Sequence, residues 1–429
     1  MLSHGGIVRL TVKRIYPWAR TEQKKYSLFI MGNSCNHLRI PPGKGPNSVG
    51  CTDFMMDHTA QGSFFRLYYP CQELEGAEKT DWIPSMEYFH GLAIFMKMNR
   101  VFSERIFNSL YGSFKAPALL DAPFKCDEKC PVIVFSHGLG AFRTLYSAIC
   151  SELASQGFIV ASVEHRDQSA SATFYFKTES EGEAENQAEG SASDREHLVK
   201  EWMYYEPLQH GVDEFKLRNN QVKQRADECI LALEKLTEIN SGIEVQNVLP
   251  TQFDWASLKN SMDLCKTAII GHSFGGATVI ETLCKEVKFK CGVALDTWMF
   301  PLDKQIFPQV KQPIFFINSE TFQSGENLSI MQKLDSAVIP RKMITIKGAV
   351  HQSFPDFTFL TGSWIGKLMK LKGDIDPDVA IDLSNRATLA FLQRHLGLEK
   401  NFNQWDHLIN GEDKDLIPGT NTTFLQSSI

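Results

Sequence analysis

Thr267-Ala268-Ile269-Ile270-Gly271-His272-Ser273-Phe274-Gly275-Gly276-Ala277-Thr278-Val279-Ile280 is the stretch that decides how this chain folds. Thr267 to Ile270 reads as a short strand, and a helical pattern occupies 275–286. Between them two glycines flank a serine in the order Gly-x-Ser-x-Gly, the pattern of a nucleophile elbow. So tight a turn holds its central residue in strained backbone. Gly271 and Gly275 leave room where side chains would collide.

Outward from this turn the chain alternates. Pro131-Val132-Ile133-Val134-Phe135-Ser136 and Phe158-Ile159-Val160-Ala161-Ser162-Val163 are short continuous apolar runs, as strands buried on both faces of a parallel sheet are. Further strands are expected at 64–69, 292–295, 314–317 and 343–346. Helices are expected at 144–155, 213–237 and 384–396. Strands alternating with helices predict an α/β chain, a doubly wound, mostly parallel sheet with helices on both faces: the α/β-hydrolase fold. Residues 1–40 are mixed and basic and read as a peripheral lead. Residues 41–429 form one catalytic domain. The acidic run near 178–200, with Glu179, Glu181, Glu183, Glu185 and Glu189, reads as a surface insertion.

Of 429 residues 43% are apolar and 22% charged, which describes a globular protein with a substantial core. A net charge of -6 gives no footprint for nucleic acid. The ten cysteines contain no Cys-x-x-Cys pair, and Cys126 and Cys130 lack further ligands at metal-site spacing, so free thiols are expected. No calcium-loop pattern and no His-Glu-x-x-His occur, so the chemistry is expected to need neither metal nor cofactor. Arg9, Lys13 and Arg14 interrupt any apolar run near the start, which reads as a cytosolic rather than a signal-peptide N-terminus.

A serine hydroxyl attacks only when a base takes its proton. In this fold class the histidine comes last in chain order, and His351 follows the strand expected at 343–346. His272, His137 and His395 are less well placed. The acid that orients the imidazole could be Asp296 or Glu320, each closing a strand between Ser273 and His351. Spacing leaves the two nearly even. An oxyanion needs backbone N–H donors. Phe274 supplies one at a helix N-terminus, and Ser136-His137-Gly138-Leu139-Gly140 is similar to a His-Gly-x-Gly loop that would supply the other from Leu139.

Two stretches combine apolar and basic residues as interfacial helices do. One is a helical pattern over 88–112, with Phe102, Phe107 and Leu110 beside Lys97, Arg100 and Arg105. The other, 362–372, sets Trp364, Ile365, Leu368 and Met369 against Lys367, Lys370 and Lys372. Most amphipathic helices turn such a face to a core instead.

With these residues in hand, the chain resembles the platelet-activating factor acetylhydrolases, in particular the lipoprotein-associated branch. The likeness runs from about Pro41 to Thr423. It rests on Ser48-Val49-Gly50-Cys51-Thr52-Asp53, the stretch from Phe135 to Ile149, Val163-Glu164-His165-Arg166-Asp167, the elbow through Ile280, Ala294 to Leu302, and Asp382 to Leu392. The resemblance implies a calcium-independent phospholipase A2 cleaving short or oxidised sn-2 acyl esters of phosphocholine lipids. It implies Ser273 as nucleophile, His351 as base, Asp296 rather than Glu320 as acid, and the Leu139 and Phe274 amides as the oxyanion hole. A phospholipid substrate and a lipoprotein or membrane surface are the implied partners of a monomeric enzyme. Secretion and N-glycosylation follow from the same likeness, with acceptor sequons at Asn327 and Asn421. Another lipase or carboxylesterase of the same fold, or a non-catalytic lipid-binding relative, would share parts of this pattern.

Overall fold

The apolar runs form the middle of one eleven-stranded sheet. The computed structural model describes residues 9–10, 26–27, 38–73, 75–178 and 198–420. In chain order the strands are β1 (Arg9–Leu10), β2 (Tyr26–Ser27), β3 (Ser48–Met55), β4 (Phe64–Cys71), β5 (Lys79–Asp81), β6 (Lys115–Leu120), β7 (Cys130–Ser136) and β8 (Ile159–Val163). They continue with β9 (Ala172–Thr178), β10 (Leu198–Tyr204), β11 (Met262–His272), β12 (Cys291–Leu295), β13 (Ile314–Ser319), β14 (Arg341–Ile346) and β15 (Leu416–Pro418). The helices are α1 (Met86–Phe95), α2 (Arg100–Tyr111), α3 (Ser147–Ser155), α4 (Glu214–Ser241) and α5 (Phe274–Lys285). After them come α6 (Gly325–Met331), α7 (Phe357–Leu360), α8 (Ser363–Leu368), α9 (Pro377–Leu396) and α10 (Asp406–Ile409).

The sheet order is β15-β14-β13-β12-β11-β7-β8-β4-β3-β6-β5. Every pair from β14 to β8 is parallel, and β4 joins β8 antiparallel. Alternation along β7 shows why its run is apolar throughout. Ile133 and Phe135 pack on one face with α3 and α9 residues, whereas Val132 and Val134 pack on the other with α4 and α5 residues. Parallel strands all end on one side, so the loops after β7, β11, β12 and β14 gather there.

Several boundaries differ from the sequence reading, each for a local reason. The pattern over 88–112 is two helices, not one, because the chain turns at Lys97, which has φ +55°. α4 starts where Asp213 accepts the Lys216 N–H and stops at left-handed Gly242, a few residues beyond the expected end. α9 starts earlier than expected, with Asp376 as cap and Pro377 in its first turn. α8 ends at Leu368, short of the expected stretch to 372. Ile40, assigned to the peripheral lead, is buried in the core. Residues 198–200 belong to β10, which pairs with β9. The acidic run between these strands, 179–197, lies outside the described residues. Among the described residues no helix is long and apolar enough to cross a membrane.

Candidate active site

Ser273 sits between the end of β11 and the start of α5 with φ 59° and ψ -113°, a conformation a non-glycine residue holds only under constraint. The constraint is visible at the flanking glycines. A Cβ on Gly271 would lie 2.2 Å from the Gly275 carbonyl oxygen, and one on Gly275 would lie 2.0 Å from that of Ser136. Only glycine fits either place. The Ser273 N–H donates to the Leu295 carbonyl at 2.8 Å, and its own carbonyl accepts from Trp298 at 3.1 Å, so the turn is pinned to β12 and the loop after it.

His351 opens a short turn beyond β14, and its Nε2 lies 2.9 Å from Ser273 Oγ. Its Nδ1 lies 2.7 Å from Asp296 Oδ2. Asp296 follows β12 directly, is fully buried and has φ +44°. Its carboxylate also accepts the Ser319 N–H at 3.0 Å, the Ser319 hydroxyl at 2.6 Å and the Gln323 amide at 2.8 Å. Glu320 is turned to another task. It accepts the Gly348 N–H at 2.6 Å and so holds the turn leading to His351. The Phe322 ring stacks on the imidazole with centroids 3.7 Å apart.

The loop after β7 lies against Ser273. A Cβ on Gly138 would come within 3.4 Å of Ser273 Cβ. Neither the Leu139 nor the Phe274 N–H is taken by an acceptor among the described residues. Phe274 is the first residue of α5, where the helix dipole favours negative charge. His272 is not idle on the turn. Its Nδ1 lies 2.9 Å from the Tyr146 hydroxyl, its ring lies 4.5 Å from that of His351, and burial keeps its pKa well below the usual imidazole value.

Ser319, Phe322, Gln323 and Tyr146 carry no motif, and only the folded chain brings them to the site. The same is true of a buried relay behind it. Ser136 Oγ lies 2.8 Å from His165 Nε2, and His165 Nδ1 lies 2.6 Å from Glu228. Ser136 is wholly enclosed, so this serine is closed to substrate. The compact cluster that could hold a metal ion among the described residues is His272, Asp296 and His351, with ligand atoms within 4.8 Å of one another. Two of these three are hydrogen-bonded to each other.

The expected interfacial residues divide. Trp364 is 62% exposed, Leu110 45% and Met369 38%, while Ile365 and Leu368 are half-buried. Phe107 is a correction. It is buried in the core, with its ring centroid 6.2 Å from that of Phe89, so it faces inward rather than to a lipid surface. Phe102 lies in α2, but its side chain is outside the described residues. Asn327, an expected glycan acceptor, is half-buried in α6. Its Nδ2 donates to the Thr297 carbonyl at 2.7 Å and to Gln323 at 2.6 Å, and its Oδ1 accepts the Met299 N–H at 2.8 Å. Asn421 lies outside the described residues.

The sheet, the elbow and the assembled side chains define an esterase of the α/β-hydrolase class. A solved ferulic acid esterase from Streptomyces cinnamoneus shares the fold, with a TM-score of 0.59 at 15% identity over 89% of this chain and 99% of that one. The family model for platelet-activating factor acetylhydrolase, isoform II, matches residues 32–416, and the chain belongs to that family. It is 54% identical over 392 residues to the platelet-activating factor acetylhydrolase of Gallus gallus, covering 91% of each chain. It is 51% identical to that of Canis lupus familiaris over 92% of this chain and 86% of the relative. A putative phospholipase A2 of Schizosaccharomyces pombe is 24% identical over 82% of this chain and 87% of the relative.

Proposed function

We propose that the enzyme is a calcium-independent phospholipase A2 that hydrolyses the sn-2 acetyl, or short or oxidised acyl, ester of platelet-activating factor and related phosphocholine lipids. The observation that carries this reading is the continuous chain from Ser273 Oγ through His351 to Asp296, with steps of 2.9 and 2.7 Å. His351, donating from Nδ1 to Asp296, presents a bare Nε2 to the serine hydroxyl. It takes the Ser273 proton as the hydroxyl oxygen attacks the sn-2 carbonyl carbon. The Leu139 and Phe274 N–H groups hold the charge that develops on the carbonyl oxygen. His351 then protonates the leaving sn-2 oxygen, lysophospholipid departs, and the acyl group stays on Ser273. Water, deprotonated by the same imidazole, frees the short acid.

The exposed Trp364, Met369 and Leu110, with Lys367 and Lys370 nearby in sequence, support docking to a lipoprotein or membrane surface. Secretion and a glycan at Asn421 belong to the same reading. A series of phosphocholines differing only in sn-2 chain length tests it. We expect kcat/KM to fall steeply from acetyl to palmitoyl. A flat series would favour a general lipase or carboxylesterase of this fold.

A further inference from the structure

A single buried guanidinium touches both halves of the oxyanion hole. Arg225 projects from α4 and is fully buried. Its Nη1 donates to the His137 carbonyl at 2.6 Å, and its Nη2 reaches the Gly138 carbonyl at 3.5 Å. Its Cζ lies 4.4 Å from the centroid of the Phe274 ring. Its Nε–H is shared between Asp167 at 3.0 Å and the Ser169 hydroxyl at 2.8 Å. A buried cation must be paired, and Asp167 is its counter-charge.

Peptide geometry turns these contacts into an effect on Leu139. The Gly138 carbonyl and the Leu139 N–H belong to one planar unit and point in opposite directions. Besides Arg225, that carbonyl accepts His137 Nδ1 at 2.8 Å and the Ala141 N–H at 3.2 Å. The preceding carbonyl, of His137, is held by Arg225 more closely still. Ser169 reinforces the arrangement, because its own carbonyl accepts the Gly140 N–H at 2.8 Å. The His137 and Gly138 carbonyls are thereby drawn to the Arg225 side, and the Leu139 N–H, opposite the Gly138 carbonyl, faces the other way. The aromatic face beneath the guanidinium belongs to the residue whose N–H is the second donor.

We propose that Arg225 is the positioning residue of the oxyanion hole, aligning the Leu139 amide through the His137 and Gly138 carbonyls and bracing Phe274 through its ring. This rests on Leu139 and Phe274 being the oxyanion donors, as the proposed function has them. Arg225 meets no substrate. Its contribution lies in holding donors that strengthen their bonds only as charge develops, so its loss should appear in kcat rather than KM.

The test compares wild-type enzyme with Arg225→Met, Arg225→Lys and Ser169→Ala. Active sites are counted by fluorophosphonate labelling carried to completion, so that unfolded molecules drop out of the rate. Two readouts follow: kcat per labelled site, and the inhibition constant of a lipid trifluoromethyl ketone, whose hemiketal oxyanion fills the hole. For Arg225→Met we expect kcat per site to fall about 10²-fold, the size of losing one oxyanion donor. The ketone should weaken in parallel, with KM within about threefold. Arg225→Lys should lie between, and Ser169→Ala, which keeps the ion pair, should lose about three- to tenfold in both readouts if Arg225→Met does not fold. Unchanged kcat per site with unchanged ketone affinity would overturn the proposal, as would a loss confined to KM. A wild-type enzyme that neither labels at Ser273 nor binds the ketone would instead overturn the oxyanion assignment itself.

Discussion

Ser319 binds Asp296 twice, through its backbone N–H to Oδ1 at 3.0 Å and through its hydroxyl to Oδ2 at 2.6 Å. This double grip, with the Gln323 amide beside it, fixes the carboxylate so that its remaining direction points at His351. Glu320 is the next residue along the chain, yet it bonds the Gly348 N–H instead. Asp296→Asn should therefore lower kcat by about 10⁴-fold, because the amide favours the wrong imidazole tautomer. Glu320→Gln should cost less than about tenfold, since its oxygen still reaches Gly348. Steady-state rates of the two purified variants decide. A severe Glu320 effect beside a mild Asp296 one would reverse the assignment.

Glu228 sits beside His165 in the interior, and burial raises its pKa from 4.5 to about 7. The folded enzyme thus keeps a proton that the unfolded chain releases above pH about 4.5. Stability supplied by that proton is complete below this point and is lost as pH rises through about 7. The loss is on the order of 3 kcal/mol. Glu228→Gln keeps a neutral side chain at every pH. Thermal midpoints measured from pH 5 to 8 should fall more for wild type than for the variant. Parallel curves would show that Glu228 does not titrate in this range.

The nine described cysteines are free, and six of them are buried. Cys126 differs from the rest because a hydrogen bond from Cys130 lowers its pKa to about 6, against the opposing effect of partial burial. Buried Cys51, Cys150, Cys229 and Cys291 are pushed well above the usual thiol range. Brief iodoacetamide treatment of native enzyme near pH 7 should therefore alkylate Cys126 ahead of these four. Peptide mapping reads the order, and the Cys126 rate should fall as pH drops through about 6. A rate still climbing between pH 8 and 9 would contradict the lowered value.

Trp364 exposes 62% of its surface at the start of α8. As part of a docking face, Trp364→Ala should weaken binding to phosphatidylcholine vesicles by about tenfold while leaving turnover of a water-soluble acetyl ester unchanged. The Trp364 side chain is far from full burial, so the fold should tolerate the change. Equal losses in both assays would place Trp364 in the catalytic machinery. No change in either would remove it from the docking face.

The parallel core of the fold was legible because strands covered on both faces must be apolar throughout, as Val132 to Phe135 are. The serine turn was legible because only glycine fits at 271 and 275. Other features left less trace. Asp296 and Glu320 close neighbouring strands, and their different fates depend on backbone direction, with Asp296 turning at φ +44°. Ser319, Gln323 and Arg225 are ordinary polar residues until folding supplies their partners across long sequence separations. The stripe over 88–112 hid a break, because a left-handed residue at Lys97 interrupts the helix without a glycine or proline to announce it. Phe107 read as interfacial because composition cannot say which way a helix face turns.

Everything proposed for the chemistry depends on the Ser273 oxygen forming a covalent bond that His351 makes possible. Intact-mass and peptide mass spectrometry after incubation with a fluorophosphonate measure that bond directly. We expect one adduct per chain, carried by the peptide containing Ser273. The adduct should be absent in Ser273→Ala and form at least about 10³-fold more slowly in His351→Ala, in keeping with loss of the base. Labelling at another residue, or equal labelling of the Ser273→Ala variant, would contradict this chemistry.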